Sequence, residues 1–150
     1  MNNRIYEDKE DLENEEKLIQ IANLKWNCAS KKESMANVID FSMWRNGLIV
    51  GWVEIRVRNA KSTDYPTIIC SLNKFSYAKR LRKNWGKPVI FLVKWKGDNK
   101  TGWIDFEDVD CEDEKTLWYQ PINYRDDKRD VGTVVQIPID KFHMIDDIQL

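Results

Sequence analysis

Between about Glu10 and Trp26, apolar residues recur at helical spacing. Leu12, Leu18, Ile19, Ala22 and Trp26 share one side with Glu15, and charges fill the other. The pattern predicts a helix there, behind a charged lead-in over residues 1–9. The largely polar residues 27–37 predict a loop with room for a short strand. From Val38 to Asn59 the period changes to two. Val53, Ile55 and Val57 alternate with Trp52, Glu54, Arg56 and Arg58, which predicts a strand hairpin around Arg45-Asn46-Gly47. One side of this hairpin should enter a core, and the other is rich in charge.

Residues 60–66 predict a loop, and Thr67 to Cys70 a short apolar stretch. Ser71 is a good N-cap, and a helix is expected from about Leu72 to Trp85. Its stripe is Leu72, Phe75, Ala78, Leu81 and Trp85; Gly86 suits the C′ position and Pro88 prevents continuation. Val89 to Trp95 reads as a buried strand, Asp98-Asn99 as a turn, and Thr101 to Phe106 as the partner strand. Residues 107–116 read as an acidic loop. Thr133 to Ile139 reads as a last strand, placed at an edge by Pro138. The order is helix, strands, helix, strands: an α/β fold in one domain spanning 1–150, with a core over about 10–106 and a C-terminal extension over 107–150.

The hairpin register decides which residues meet. A two-residue Asn46-Gly47 turn would pair Arg45 with Leu48 and set Asp40 opposite Val53, on the wrong face. A three-residue turn with Gly47 left-handed would set Asp40 opposite Trp52 and diagonal to Glu54. Diagonal neighbours lie about 7–8 Å apart, close enough for two carboxylates to share a divalent cation. The three-residue turn is therefore the expectation.

Composition narrows the class. The 150 residues are 42% hydrophobic and 33% charged, which indicates a globular rather than a disordered chain. The net charge of −1 does not by itself announce a nucleic-acid binder, but residues 74–87 are basic, with Lys74, Lys79, Arg80, Arg82, Lys83 and Lys87. Such a run is either a solvated face or a phosphate-tracking one. The sole histidine, His143, removes most zinc sites and histidine-based triads, and it has no evident partner. Cys28, Cys70 and Cys111 are scattered and read as small packing residues, not as a disulfide framework. The N-terminus shows no signal-peptide pattern, and the longest apolar run, Val89 to Val93, is too short to span a bilayer, so a cytoplasmic setting without membrane contact is the expectation. Tyr65, Trp95 and Trp103 can either pack or stack on bases.

Two acids and a base on one face suit phosphodiester hydrolysis. The acids hold a cation that neutralises the phosphate and activates water; the base stabilises developing charge. Ile39-Asp40 followed by Glu54-Ile55-Arg56 resembles the two motifs of the PD-(D/E)XK nuclease superfamily. The segments DFSMWRNGLIVGWVEIRVRN, YPTIICSLNKFSYAKRL and GKPVIFLVKW look like small nuclease-like proteins encoded by bacteriophages. The resemblance covers about residues 10–106. It implies a restriction-endonuclease-like core with a mixed central sheet flanked by helices. It also implies Mg²⁺ or Mn²⁺ held by Asp40, Glu54 and the backbone carbonyl of Ile55, and Glu15 facing the site from the first helix. DNA contacts would come from Arg58, Ser71, Lys74 and Lys79, and a homodimer is an expectation from the same resemblance. Two departures stand out. Ile39 replaces the usual proline. Arg56 stands where a lysine is expected, and arginine cannot act as a general base. The implied activities are a metal-dependent deoxyribonuclease or, alternatively, an impaired relative that serves as a DNA-binding or phage assembly module.

Overall fold

A computed structural model of the chain describes residues 9–33, 39–110, 117–120 and 132–145. The amphipathic stripe near the N-terminus forms helix α1, Lys9–Trp26, and its apolar side buries Leu18, Ile19 and Ala22. Strands β1 (Ala29–Lys32), β2 (Phe41–Arg45) and β3 (Leu48–Arg58) follow, and then β4 (Thr67–Ser71) leads directly into helix α2 (Leu72–Trp85). Strands β5 (Val89–Trp95), β6 (Lys100–Asp105), β7 (Leu117–Gln120), β8 (Gly132–Pro138) and β9 (His143–Ile145) complete the order. Single 3₁₀ turns cover Phe106–Asp108 and Ile139–Lys141.

The large sheet has the order β1-β2-β3-β5-β6-β9. It is mixed: β3 and β5 run parallel, and the other pairs are antiparallel. The parallel step requires a crossover, which β4 and α2 supply. One face packs on α1 through Phe41, Met43, Val53, Ile55, Ile90 and Leu92. The opposite face meets α2 and a second sheet, β4-β8-β7, around Trp52, Phe75, Phe91, Val93 and Val135.

Local signals set the α2 boundaries as expected. The Ser71 hydroxyl accepts from the Lys74 N–H at 3.2 Å, and Gly86 turns left-handed at φ 67° while its N–H returns to the Arg82 carbonyl. Two expectations are corrected. Strand β8 is central rather than at an edge, lying between β4 and β7; Pro138 closes it at its last residue, where a missing N–H matters least. It is also not the last strand, because β9 pairs with β6. From the C-terminal extension, Val109, Val135, Ile137, Ile139 and Phe142 join the α2-side cluster. Of the acidic stretch 107–116, the part from 111 onward lies outside the described residues, Cys111 included.

Candidate active site

The hairpin turn is the two-residue Asn46-Gly47 type, with φ of 53° and 76° and with Arg45 paired to Leu48. The expected three-residue turn is absent. A bulge does its work instead: Trp44 faces Ile49 while Met43 faces Gly51, so Val50 is an extra residue in β3. The bulge advances the register by one. Phe41 pairs with Val53, and one step further Asp40 comes level with Glu54 rather than with Trp52.

Strand β2 ends at Phe41, so the edge of β3 beyond Val53 lacks a strand partner on that side. Asp40 takes its place. Its Oδ2 accepts the Ile55 N–H at 2.9 Å, and its own N–H donates to Glu54 Oε1 at 3.3 Å. A strand residue presents its N–H and C=O on the same edge, so the Ile55 carbonyl also points to the Asp40 side. Beside the pair, Ser42 donates to Glu33 Oε2 at 2.6 Å and receives the Trp44 indole N–H at 2.9 Å, while the Glu33 N–H donates to the Asp40 carbonyl at 2.8 Å. Asp40 is thereby tied to the residue that follows β1.

Glu54 is 1% exposed. Burial, reinforced by the Asp40 carboxylate, pushes its pKa from 4.5 up to about 7, although the Lys74 ammonium and Arg56 pull it down. Lys74 reaches from the first turn of α2 and ion-pairs with Glu54 Oε2. The family resemblance offers Lys74 as a contact to the DNA strand or to the site; its partnership with Glu54 follows from how α2 seats on β3. Cys70 adjoins the same charges, and burial pushes its thiol up to about 11, so it is a neutral packing group and not a nucleophile.

The other expected residues divide between this site and the rest of the fold. Arg56 shares the Glu54 face, half-buried, with its guanidinium 6.0 Å from the Phe91 ring centre. Arg58 lies one step beyond and donates to the Ile69 carbonyl at 3.4 Å. Ser71 caps α2. Lys79 donates to the Glu107 carbonyl at 3.2 Å and lies over Phe75. Arg82, on the same helix, pairs with Glu107 at 2.5 Å and lies 3.6 Å from Asp105, so part of the basic run is neutralised within the fold. Glu15 is not drawn to Glu54 by its ion pair, which is with Lys32 at 2.8 Å. Lys32 is paired opposite Phe41 and so lies on the α1 face of the sheet, the reverse of the Glu54 face. His143 stacks on Trp103 with centroids 4.4 Å apart, a partnership created by β9.

A mixed sheet thus lies between two helices, with an acid pair at the edge of its hairpin. The chain belongs to the family described as phage putative PDDEXK endonuclease, which matches residues 1–145. Among solved structures, Hjc, a Holliday junction resolvase from Archaeoglobus fulgidus, aligns with a TM-score of 0.48 and 9% identity, over 80% of this chain and 84% of that one. No curated protein matches the sequence significantly. Among the described residues, no group of three or more His, Cys, Asp or Glu is arranged to hold a metal ion, and no helix is long and apolar enough to cross a membrane.

Proposed function

We propose that the protein is a Mg²⁺- or Mn²⁺-dependent deoxyribonuclease that cleaves at Asp40 and Glu54. The observation that carries this reading is Glu54 itself, a carboxylate 1% exposed and set against a second carboxylate. Burying Glu54 beside the half-buried Asp40 carboxylate is unfavourable unless cations compensate it, and Lys74 is the one cation in ion-pair contact among the described residues. The donor set fits a hard cation. Two carboxylates and the Ile55 carbonyl are oxygen ligands, and Mg²⁺ needs no more than one or two carboxylates when waters and substrate phosphate complete its shell. When bound there, the ion supplies Lewis-acid stabilisation of the phosphate and lowers the pKa of water.

The chain's own groups divide the remaining work. Asp40 is held in place by the Ile55 N–H and so presents its other oxygen to the site. Lys74 pairs with Glu54 Oε2 and favours its ionised form against the opposing effect of burial. Arg56 contributes a fixed positive charge to the developing negative charge on the phosphate. Glu15 is assigned no step here, because its contact lies on the other face of the sheet.

One feature favours a second reading, a DNA-binding module without turnover: the motif lysine is Arg56. A single experiment separates the two. Wild type, Asp40→Asn and Arg56→Lys are incubated with Mg²⁺ or Mn²⁺ and linear, nicked, flapped and branched DNA. The nuclease reading expects wild-type cleavage and a loss of at least about a hundredfold in Asp40→Asn. Cleavage only after Arg56→Lys supports the binding module. Cleavage by none of the three rules out the nuclease reading.

A further inference from the structure

Glu54, Arg56 and Arg58 follow one another on the same face of β3, about 6.6 Å per two-residue step. Beyond them lies a groove of about 540 Å³ lined by Arg58, Lys61, Tyr65, Pro66, Ile68 and Trp95 among others. Strand β4 links it to the acid pair: Ile69 lines the groove and accepts from Arg58, and Cys70 next to it feels the charges of both Glu54 and Arg56. Arg56 and Arg58 are half-buried neighbours, and among the described residues neither has a carboxylate at ion-pair distance. Arg56 feels the Glu54 carboxylate from two residues away, but neither guanidinium is closed off by an ion pair, and both can still accept an anion.

The far wall is an aromatic ring. Tyr65 is 66% exposed, yet its loop is firmly tied. Ser62 bonds Asp98 through its N–H at 3.0 Å and its hydroxyl at 2.6 Å, the Gly97 N–H meets the Ala60 carbonyl at 3.1 Å, and the Ile139 N–H meets the Pro66 carbonyl at 3.0 Å. An exposed ring on a tethered loop beside unpaired arginines matches the two requirements of a single nucleotide: a surface to stack the base and charge to hold the phosphate. A base inside a duplex has both faces covered by its neighbours, so such a ring serves a base that has left the stack.

We propose that this groove is the subsite for one unpaired nucleotide of the substrate strand, with its base stacked on Tyr65 and its phosphate held by Arg58, next to Arg56 at the cleaved phosphate. The preferred substrate is then DNA with a single-stranded segment beside the cut. The proposal rests on the reading of Asp40 and Glu54 as the cleavage site.

The test uses the full chain in chelator, where nothing is cut. Fluorescence anisotropy compares a blunt duplex with the same duplex carrying a single-stranded tail, and 2-aminopurine at the first unpaired position reports stacking. The tailed duplex is expected to bind about tenfold more tightly, and Tyr65→Ala to erase that difference while Tyr65→Phe keeps it. The 2-aminopurine signal is quenched by wild type and Tyr65→Phe and not by Tyr65→Ala. Arg58→Gln reduces the slope of log affinity against log salt by roughly 0.7 for the tailed DNA. Equal affinity for blunt and tailed DNA, or a tail preference that survives Tyr65→Ala, overturns the subsite. Cleavage assays with Mn²⁺ keep the two claims apart. Efficient cutting of blunt duplex with no effect of Tyr65→Ala sinks the subsite and leaves the nuclease. A Tyr65-dependent tail preference with no cutting leaves the subsite and sinks the nuclease.

Discussion

Replacing Glu54 by glutamine isolates the energetic consequence of burying an acid beside another acid. The native carboxyl has its pKa raised from 4.5 to about 7, first by burial and then by Asp40. Between those two pH values the folded chain holds a proton that the unfolded chain has released. The stability contributed by Glu54 is therefore fully present below about pH 4.5, declines as pH rises, and is gone above about pH 7. A tenfold difference in proton affinity between the folded and unfolded chain is worth about 1.4 kcal/mol, so the decline across the interval is on the order of 3 kcal/mol. Glutamine has nearly the same shape and no charge at any pH, so it imitates the protonated native side chain. Lys74, 25% exposed at its side chain, can turn its ammonium to water in both the variant and the protonated wild type.

The assay is unfolding of both proteins in chelator from pH 4 to pH 8. The wild-type stability minus that of Glu54→Gln should fall by on the order of 3 kcal/mol between about pH 4.5 and 7, or roughly 6–12 °C in Tm. Groups titrating elsewhere cancel in the difference. At pH 8, adding Mn²⁺ at a hundred times its Kd should restore about 2.7 kcal/mol to wild type and nothing to the variant. A flat difference curve would refute the argument from burial. A curve that rises with pH would show that Lys74 outweighs desolvation, which reverses the sign.

Two further outcomes follow from the backbone. Deleting a residue inside a strand ordinarily flips every side chain beyond it, yet deleting Val50 should preserve the pairing of Phe41 with Val53 and the alignment of Asp40 with Glu54, because Val50 is the extra residue of the bulge; Tm should drop modestly with any cleavage retained, whereas deleting Val53 should prevent folding, both read by circular dichroism. Gly97→Ala should cost about 1–3 kcal/mol in urea unfolding, since a Cβ there would lie 2.7 Å from the Lys61 nitrogen and 2.8 Å from the Ala60 carbonyl carbon, backbone atoms that cannot rotate aside.

What was legible in the sequence had a local cause. Ser71, Gly86 and Pro88 bound α2 through capping and backbone geometry that act within a few residues. The alternation of β3 is also local, and it correctly assigned Glu54, Arg56 and Arg58 to one face. The bulge was not legible, because valine is as good a strand residue as its neighbours and nothing marks it as extra. Asn46-Gly47 is a strong two-residue hairpin signal, and the structure obeys it; the error lay in assuming an unbroken ladder behind it. Pairings between distant segments were equally hidden. Thr67 meets Pro138, and His143 reaches Trp103, through chain reversals that no neighbouring residue encodes.

The charged face of β3 shows the same limit from its energetic side. Charges on alternate strand positions usually signal a face turned to water, yet here α2 and the small sheet cover that face and leave Glu54 sealed within it. The sequence could identify which side chains share the face but not what lies over it, because the cover comes from β4, α2 and β8. Burial is what turns an ordinary glutamate into one with a pKa near 7, and it also turns Lys74 from a surface lysine at a helix start into the counter-ion of that glutamate. The two causes act jointly: strand alternation chooses which side chains share the face, and the crossover between β3 and β5 sets how deeply Glu54 is buried and therefore where it titrates.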